Sequence, residues 1–159
     1  MKKKEPKQWD ERQTAIRNVA YKHGLFVLAA LVLVDTIFRD DGTPWAQGKT
    51  NHLVYLAVVV AFVGIEFAIR GVYYGRLEGP KIVLIAMLLW MVCWSLALLF
   101  RISDMRHLGE TITENGVLLL HGSYVITDCI LIFMAVCYVV RASVDIFKDR
   151  RQNREKQSK

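Results

Sequence analysis

"IVLIAMLLWMVCWSLALLF", residues 82–100, runs for nineteen residues without one charged side chain. A helix rises 1.5 Å per residue, so this stretch reaches roughly 28 Å, close to the ~30 Å thickness of a bilayer's hydrocarbon core. It reads as a membrane-crossing helix, and it is not alone. Residues 20–38, 52–70 and 116–140 are of similar length and composition, and the chain as a whole is 53% hydrophobic. The runs are continuous rather than alternating, which excludes a transmembrane β-barrel. The expected fold class is therefore all-α: an integral membrane four-helix bundle. Residues 1–19 form a basic N-terminal segment, 20–140 the four-span bundle and 141–159 a basic C-terminal tail.

The placement of charge orients the spans. Of the 21 Lys and Arg residues, seven lie in residues 1–22, seven in 141–159 and only seven in all of the chain between. Basic residues favour cytoplasmic loops. The N-terminus, the second connection (Arg70, Arg76, Lys81) and the C-terminus carry seventeen of them, against four in the first and third connections. Both termini are expected to be cytoplasmic. The first span follows a long basic region and has full crossing length, so it reads as an anchor that stays rather than a cleaved leader. A pI of 9.3 also raises the question of nucleic acid. Because the cations flank apolar runs, they fit a bilayer with anionic head groups better, and no nucleic-acid partner is expected.

Ahead of the first span, Asp10 and Gln13 have capping-box spacing and Glu11 falls in the first turn, where the helix dipole favours it. A helix is expected to start at Asp10, with Trp9, Ile16 and Val19 against the inner surface. The run Asp10-Glu11-Arg12-Gln13 before several apolar spans resembles a group of small bacterial multi-span membrane proteins of unknown function. The resemblance implies a protein of the bacterial cytoplasmic membrane. It implies no activity and no site residues.

Three carboxylates fall inside the spans, and an ionisable group there needs a partner, water or a proton. Glu66 has Arg70 four residues on, and Asp35 has Arg39 in the same relation, so both are expected as local ion pairs at span boundaries. Asp128 has no cation at helical spacing. It lies about 18 Å from Val140 at 1.5 Å per residue, near mid-membrane. His121, Tyr124 and Asp128 share one helix face, a candidate proton or polar relay. Gly122 beside them is expected to admit a close neighbouring helix.

His52 and His121 begin the second and fourth spans at matching depth, which leaves open a haem or redox role across the bundle. His23 and His107 suggest interfacial or loop positions. Trp90 and Trp94, one turn apart, are expected to pack between helices. Cys93, Cys129 and Cys137 lie in apolar runs without the paired spacing of a metal or disulfide motif. No nucleophile elbow or phosphate-cradling loop is present. These features point to a membrane protein without enzymatic activity, cofactor or metal. It would act as an interaction, sensing or accessory subunit, as a homo-oligomer or beside a membrane partner. The alternative is a proton-coupled transporter using Asp128, and less so a haem protein using His52 and His121.

Overall fold

The computed structural model describes residues 10–40, 42, 44–48, 50–74 and 79–157. Trp9, the basic residues before it and Asp41 of the first turn lie outside these. Four helices follow in order: α1 Glu11–Asp40, α2 Thr50–Arg70, α3 Pro80–Leu108 and α4 Leu120–Gln157. All four are long and apolar enough to cross a membrane.

The helices outrun the apolar stretches, because nothing breaks the backbone where hydrophobicity stops. α1 begins where expected, with the Asp10 N–H donating to Gln13 Oε1 at 3.3 Å and Thr14 N–H to the Asp10 carbonyl at 2.9 Å. α2 ends at Gly71, whose φ of +69° suits glycine. There the Val72 N–H bonds back to Phe67 O at 3.0 Å, closing the helix end. α3 does not stop at Phe100. It continues through Arg101 to Gly109, where Glu110 N–H returns to Met105 O at 2.9 Å. The segment read as an outer loop from residue 101 is thus helical over its first half.

The fourth span also starts later than residue 116. Thr113–Glu114 (β1) and Val117–Leu118 (β2) form a two-stranded antiparallel hairpin. Asn115 (φ 49°) and Gly116 (φ 80°) make its turn, the left-handed pair that an Asn-Gly hairpin requires. The first connection is stitched to this hairpin. Leu118 N–H donates to Trp45 O, and Gln47 N–H to Leu118 O, each at 2.8 Å. We refer to this side as the hairpin end, and to the opposite side, where α1 starts and α2 ends, as the terminal end. α4 has 38 residues, about 57 Å at 1.5 Å per residue, so its polar last turns extend well past the bundle.

The principal packings run α1 on α2, α2 on α4, and α4 on α3. Small residues make these approaches close, as interfaces between membrane helices require. α2 buries Ala57, Ala61, Gly64 and Ala68 at successive turns. α1 contributes Ala20 and Gly24, and α4 contributes Ala135 and Ala142. A Cβ on Gly24 would run into Val63 of α2, and one on Gly64 would meet Met134 of α4. α1 and α3 bury little and flank a groove of about 390 Å3 whose floor is α2 and α4. Trp90 lies on the exposed side of α3 at 41% exposure, contrary to the expected inter-helix packing, while Trp94 reaches the core.

Candidate functional site: the intramembrane polar clusters

Each of the three carboxylates in the spans lies within ion-pair distance of an arginine. At the hairpin end, Arg39 Nε donates to Asp35 Oδ2 at 2.9 Å. The pair is the start of a larger network. Trp45 Nε1 donates to Asp35 Oδ1 at 2.8 Å and lies 3.1 Å from the Tyr55 hydroxyl, and Asn51 Nδ2 donates to Asp35 Oδ2 at 2.7 Å. Asp35 is buried at 8% exposure and Asn51 at 0%. A carboxylate accepting three donors from three segments fixes α1, the first connection and α2 against one another. A snorkelling boundary pair would have kept Asp35 near water. The helix positions explain the pair with Arg39, while Trp45 and Asn51 arrive only through the folded connection.

Toward the terminal end, Arg70 Nη2 lies 2.7 Å from Glu66 Oε1. His23 of α1 joins them, its Nδ1 3.0 and 3.1 Å from the two Glu66 oxygens. His23 therefore has a partner across the α1–α2 seam rather than a solitary interfacial position. Matching depth on antiparallel neighbours was the available clue. Below this cluster, Arg17 Nη1 donates to Val72 O at 3.4 Å and its guanidinium lies 4.6 Å over the Phe67 ring.

Asp128 is the most deeply buried of the three, at 1% exposure. Its cation comes from α3: Arg101 Nε lies 2.9 Å from Asp128 Oδ2, with the guanidinium 4.5 Å over the Tyr124 ring. The N–H is not aimed at the oxygen. Neither Asp128 oxygen nor the neighbouring Thr127 hydroxyl has a hydrogen-bond partner among the described residues. Arg101 follows the last apolar residue of its span, so hydropathy alone places it in the loop, whereas the helix carries it. The absence of any Gly or Pro before Gly109 was the clue that the helix carries on past it.

His121 does not complete a relay with Tyr124 and Asp128. It is in the first turn of α4, its side chain 48% exposed, and its Nδ1 pairs with Glu110 Oε2 of the α3–α4 connection. The close neighbour at Gly122 is likewise the connection, where a Cβ would meet the Ile112 carbonyl, and not another helix. His52 is exposed and makes an edge contact with Tyr55, ring centroids 6.4 Å apart. The two histidines proposed to share a cofactor are each engaged locally. Among the described residues no group of three metal-ligating side chains assembles.

One cluster joins residues far apart in the chain. At the terminal end, the Tyr73 hydroxyl donates to Asp145 Oδ2 at 2.8 Å, and Arg141 Nε lies 3.4 Å from the same oxygen. Tyr73 also meets Tyr74 and Tyr138 edge-on. Burial, then the adjacent Asp145 carboxylate, raises the Tyr73 hydroxyl pKa above its ordinary value, and burial does the same to Tyr74. The contact ties the α2–α3 connection to the extended part of α4.

No protein-family model, curated protein or solved structure matches this chain. The chain is thus defined by its architecture: four helices that fit a multi-pass membrane protein, with polar clusters where α1 meets α2 and where α3 meets α4.

Proposed function

We propose that the protein is a small multi-pass subunit of the bacterial cytoplasmic membrane, both termini cytoplasmic, that acts by interaction, as a sensing or accessory partner, and not by catalysis. One observation carries this reading. The intramembrane carboxylates, Asp35, Glu66 and Asp128, are all matched by arginines and each meets a side chain of a neighbouring helix (Asn51, His23 and Arg101), so their charges favour helix association over a free translocation path. The exposed apolar sides of α1 and α3 are the surfaces left for lipid or a membrane partner, and the basic segments at both ends of the sequence support the orientation.

The test is site-specific photocrosslinking in native membranes from Leu89 and Leu96 on α3 and from Leu25 on α1, all exposed. A discrete adduct at one helix face is expected. Adducts with lipid alone at every position would overturn the interaction reading.

A second reading has one observation in its favour. Among the described residues the Asp128 oxygens and Thr127 hydroxyl are buried without hydrogen-bond partners, a place for a proton or a water. On that reading the protein is a proton-coupled transporter with Asp128 as the proton site. Proteoliposomes loaded with a pH-sensitive dye decide between the two: flux lost on Asp128→Asn supports transport, and no flux in the wild type removes it.

A further inference from the structure

We infer that the terminal end holds a specific site for one anionic phospholipid, in the groove between the start of α3 and the extended part of α4. The inference rests on the reading that the four helices cross a bilayer. Two adjoining clefts of about 340 and 440 Å3 share Lys81, Ile146 and Arg150 as lining, so they form one continuous groove.

Its two walls repeat one pattern in opposite chain directions. On α3, Lys81 is followed one turn later by Leu84 and Ile85, which line the groove toward the bundle's middle. On α4, Arg150 is preceded one turn earlier by Ile146 and Phe147, again toward the middle. The helices run antiparallel here, so both cations stand at the outer mouth and both apolar pairs stand below them. A cationic mouth above an apolar trough matches a phosphate head group above acyl chains, and the groove opens where the helices leave the apolar layer.

Charge at the mouth favours an anion. Neither Lys81 nor Arg150 forms an ion pair among the described residues, whereas Arg141 and Arg151 nearby are paired with Asp145 and Glu155. Among the described residues Asp149 is the one opposing charge lining the outer cleft, and Asn153 adds an amide. The start of α3, at Gly79 with no side-chain cap, opens into the same cleft. Farther along α4, Arg151, Arg154 and Lys156 stand on exposed turns past the last apolar residue of the helix, Phe147. Lys81 and Arg150 are set apart by the apolar trough.

The test is native mass spectrometry of the full-length protein released from nanodiscs of phosphatidylglycerol and phosphatidylcholine. One retained phosphatidylglycerol is expected on the wild type. Lys81→Gln with Arg150→Gln should weaken it on the order of 30-fold, the loss of two surface cations. Ile85→Trp, which keeps the charges and fills the trough, should also displace the lipid. Arg154→Gln with Lys156→Gln should retain it. Circular dichroism of each variant should give unchanged helicity.

Equal retention in the Lys81/Arg150 variant, equal loss in the Arg154/Lys156 variant or equal retention of phosphatidylcholine would each overturn the site. Displacement by inorganic phosphate alone would assign the cleft to free phosphate and overturn the lipid. Extraction of the wild type by alkaline carbonate would overturn the membrane reading itself, a separate failure from that of the groove.

Discussion

Arg101 of α3 and Asp128 of α4 lie 2.9 Å apart, and the carboxylate is 1% exposed while the guanidinium side is 35% exposed. The two ends of this pair are therefore unequal. Arg101 can turn toward the hairpin end and water, but Asp128 cannot. Arg101→Met should destabilise by about 3–5 kcal/mol, because it strands a buried carboxylate. Asp128→Asn should cost less. Arg101→Met with Asp128→Leu should return close to wild type. Thermal unfolding in mild detergent measures all three, and an Asp128→Asn loss larger than that of Arg101→Met would contradict the asymmetry.

Asn51 and Trp45 hold Asp35 from two sides, at 2.7 and 2.8 Å. Hydrogen bonds to a charged group contribute about 1.5–3 kcal/mol each. Trp45→Phe should lose that amount or more, since it leaves Asp35 Oδ1 short of a donor, and Asn51→Leu should lose a similar amount, cushioned because Arg39 still donates to Oδ2. Denaturant titration followed by helical circular dichroism gives both values. A neutral Trp45→Phe would mean the indole is only an interfacial anchor.

Gly24 and Gly64 both lie at helix contacts, yet they should respond differently to alanine. At Gly24 the added methyl meets Val63, whose side chain is short, branched and stiff at χ1, so Gly24→Ala should cost about 1–3 kcal/mol. At Gly64 the obstacle is the Met134 sulfur at 2.7 Å, the end of a flexible chain, so Gly64→Ala should cost less. Thermal midpoints of the two variants in one detergent compare them directly.

Gly116 has a φ of +80°, and nothing lies within 4 Å of a Cβ built there. Space is no obstacle, so only the backbone conformation resists substitution. Gly116→Val should cost about 1–2 kcal/mol locally and loosen the hairpin. Faster limited proteolysis at residues 109–119, with the helical signal unchanged, is the expected outcome.

Tyr73 is held above its ordinary pKa by burial and by its hydrogen bond to Asp145. A raised pKa means that the folded state favours the protonated phenol. Its contribution is fully present below about pH 10, the unfolded value, and is lost as pH rises through the folded pKa. Alkaline titration should show Tyr73 and Tyr74 ionising late, and the component owed to Tyr73 should vanish in Tyr73→Phe. Asp145→Asn should move it to lower pH. Ultraviolet absorbance of tyrosinate follows both.

The span count, the helical class and the two i,i+4 ion pairs were legible because each depends on residues close together in the chain. Nineteen uncharged residues have few alternatives to a membrane helix, and Glu66 with Arg70 must share a helix face whatever packs around them. The hairpin does not emerge from the sequence reading, although Asn115-Gly116 is a turn signal, because the hydrophobic run that follows makes residues 116–118 look like span. Hydropathy marks where lipid begins, not where a helix ends. Hydropathy therefore puts Arg101 in a loop and Val117–Leu118 in a span, whereas Arg101 is helical and Val117–Leu118 is a strand.

The partners of the buried charges were a different matter. Asp128 with Arg101, Glu66 with His23, Asp35 with Asn51, and Tyr73 with Asp145 all join separate elements. Sequence alone determined that this chain forms four apolar helices with costly charges inside them, since the length and polarity of each stretch are local properties. Only the tertiary structure decided which cation meets which carboxylate. Such pairs form between helices at matching depth, and that depth depends on where each helix truly ends and which neighbour its small residues admit.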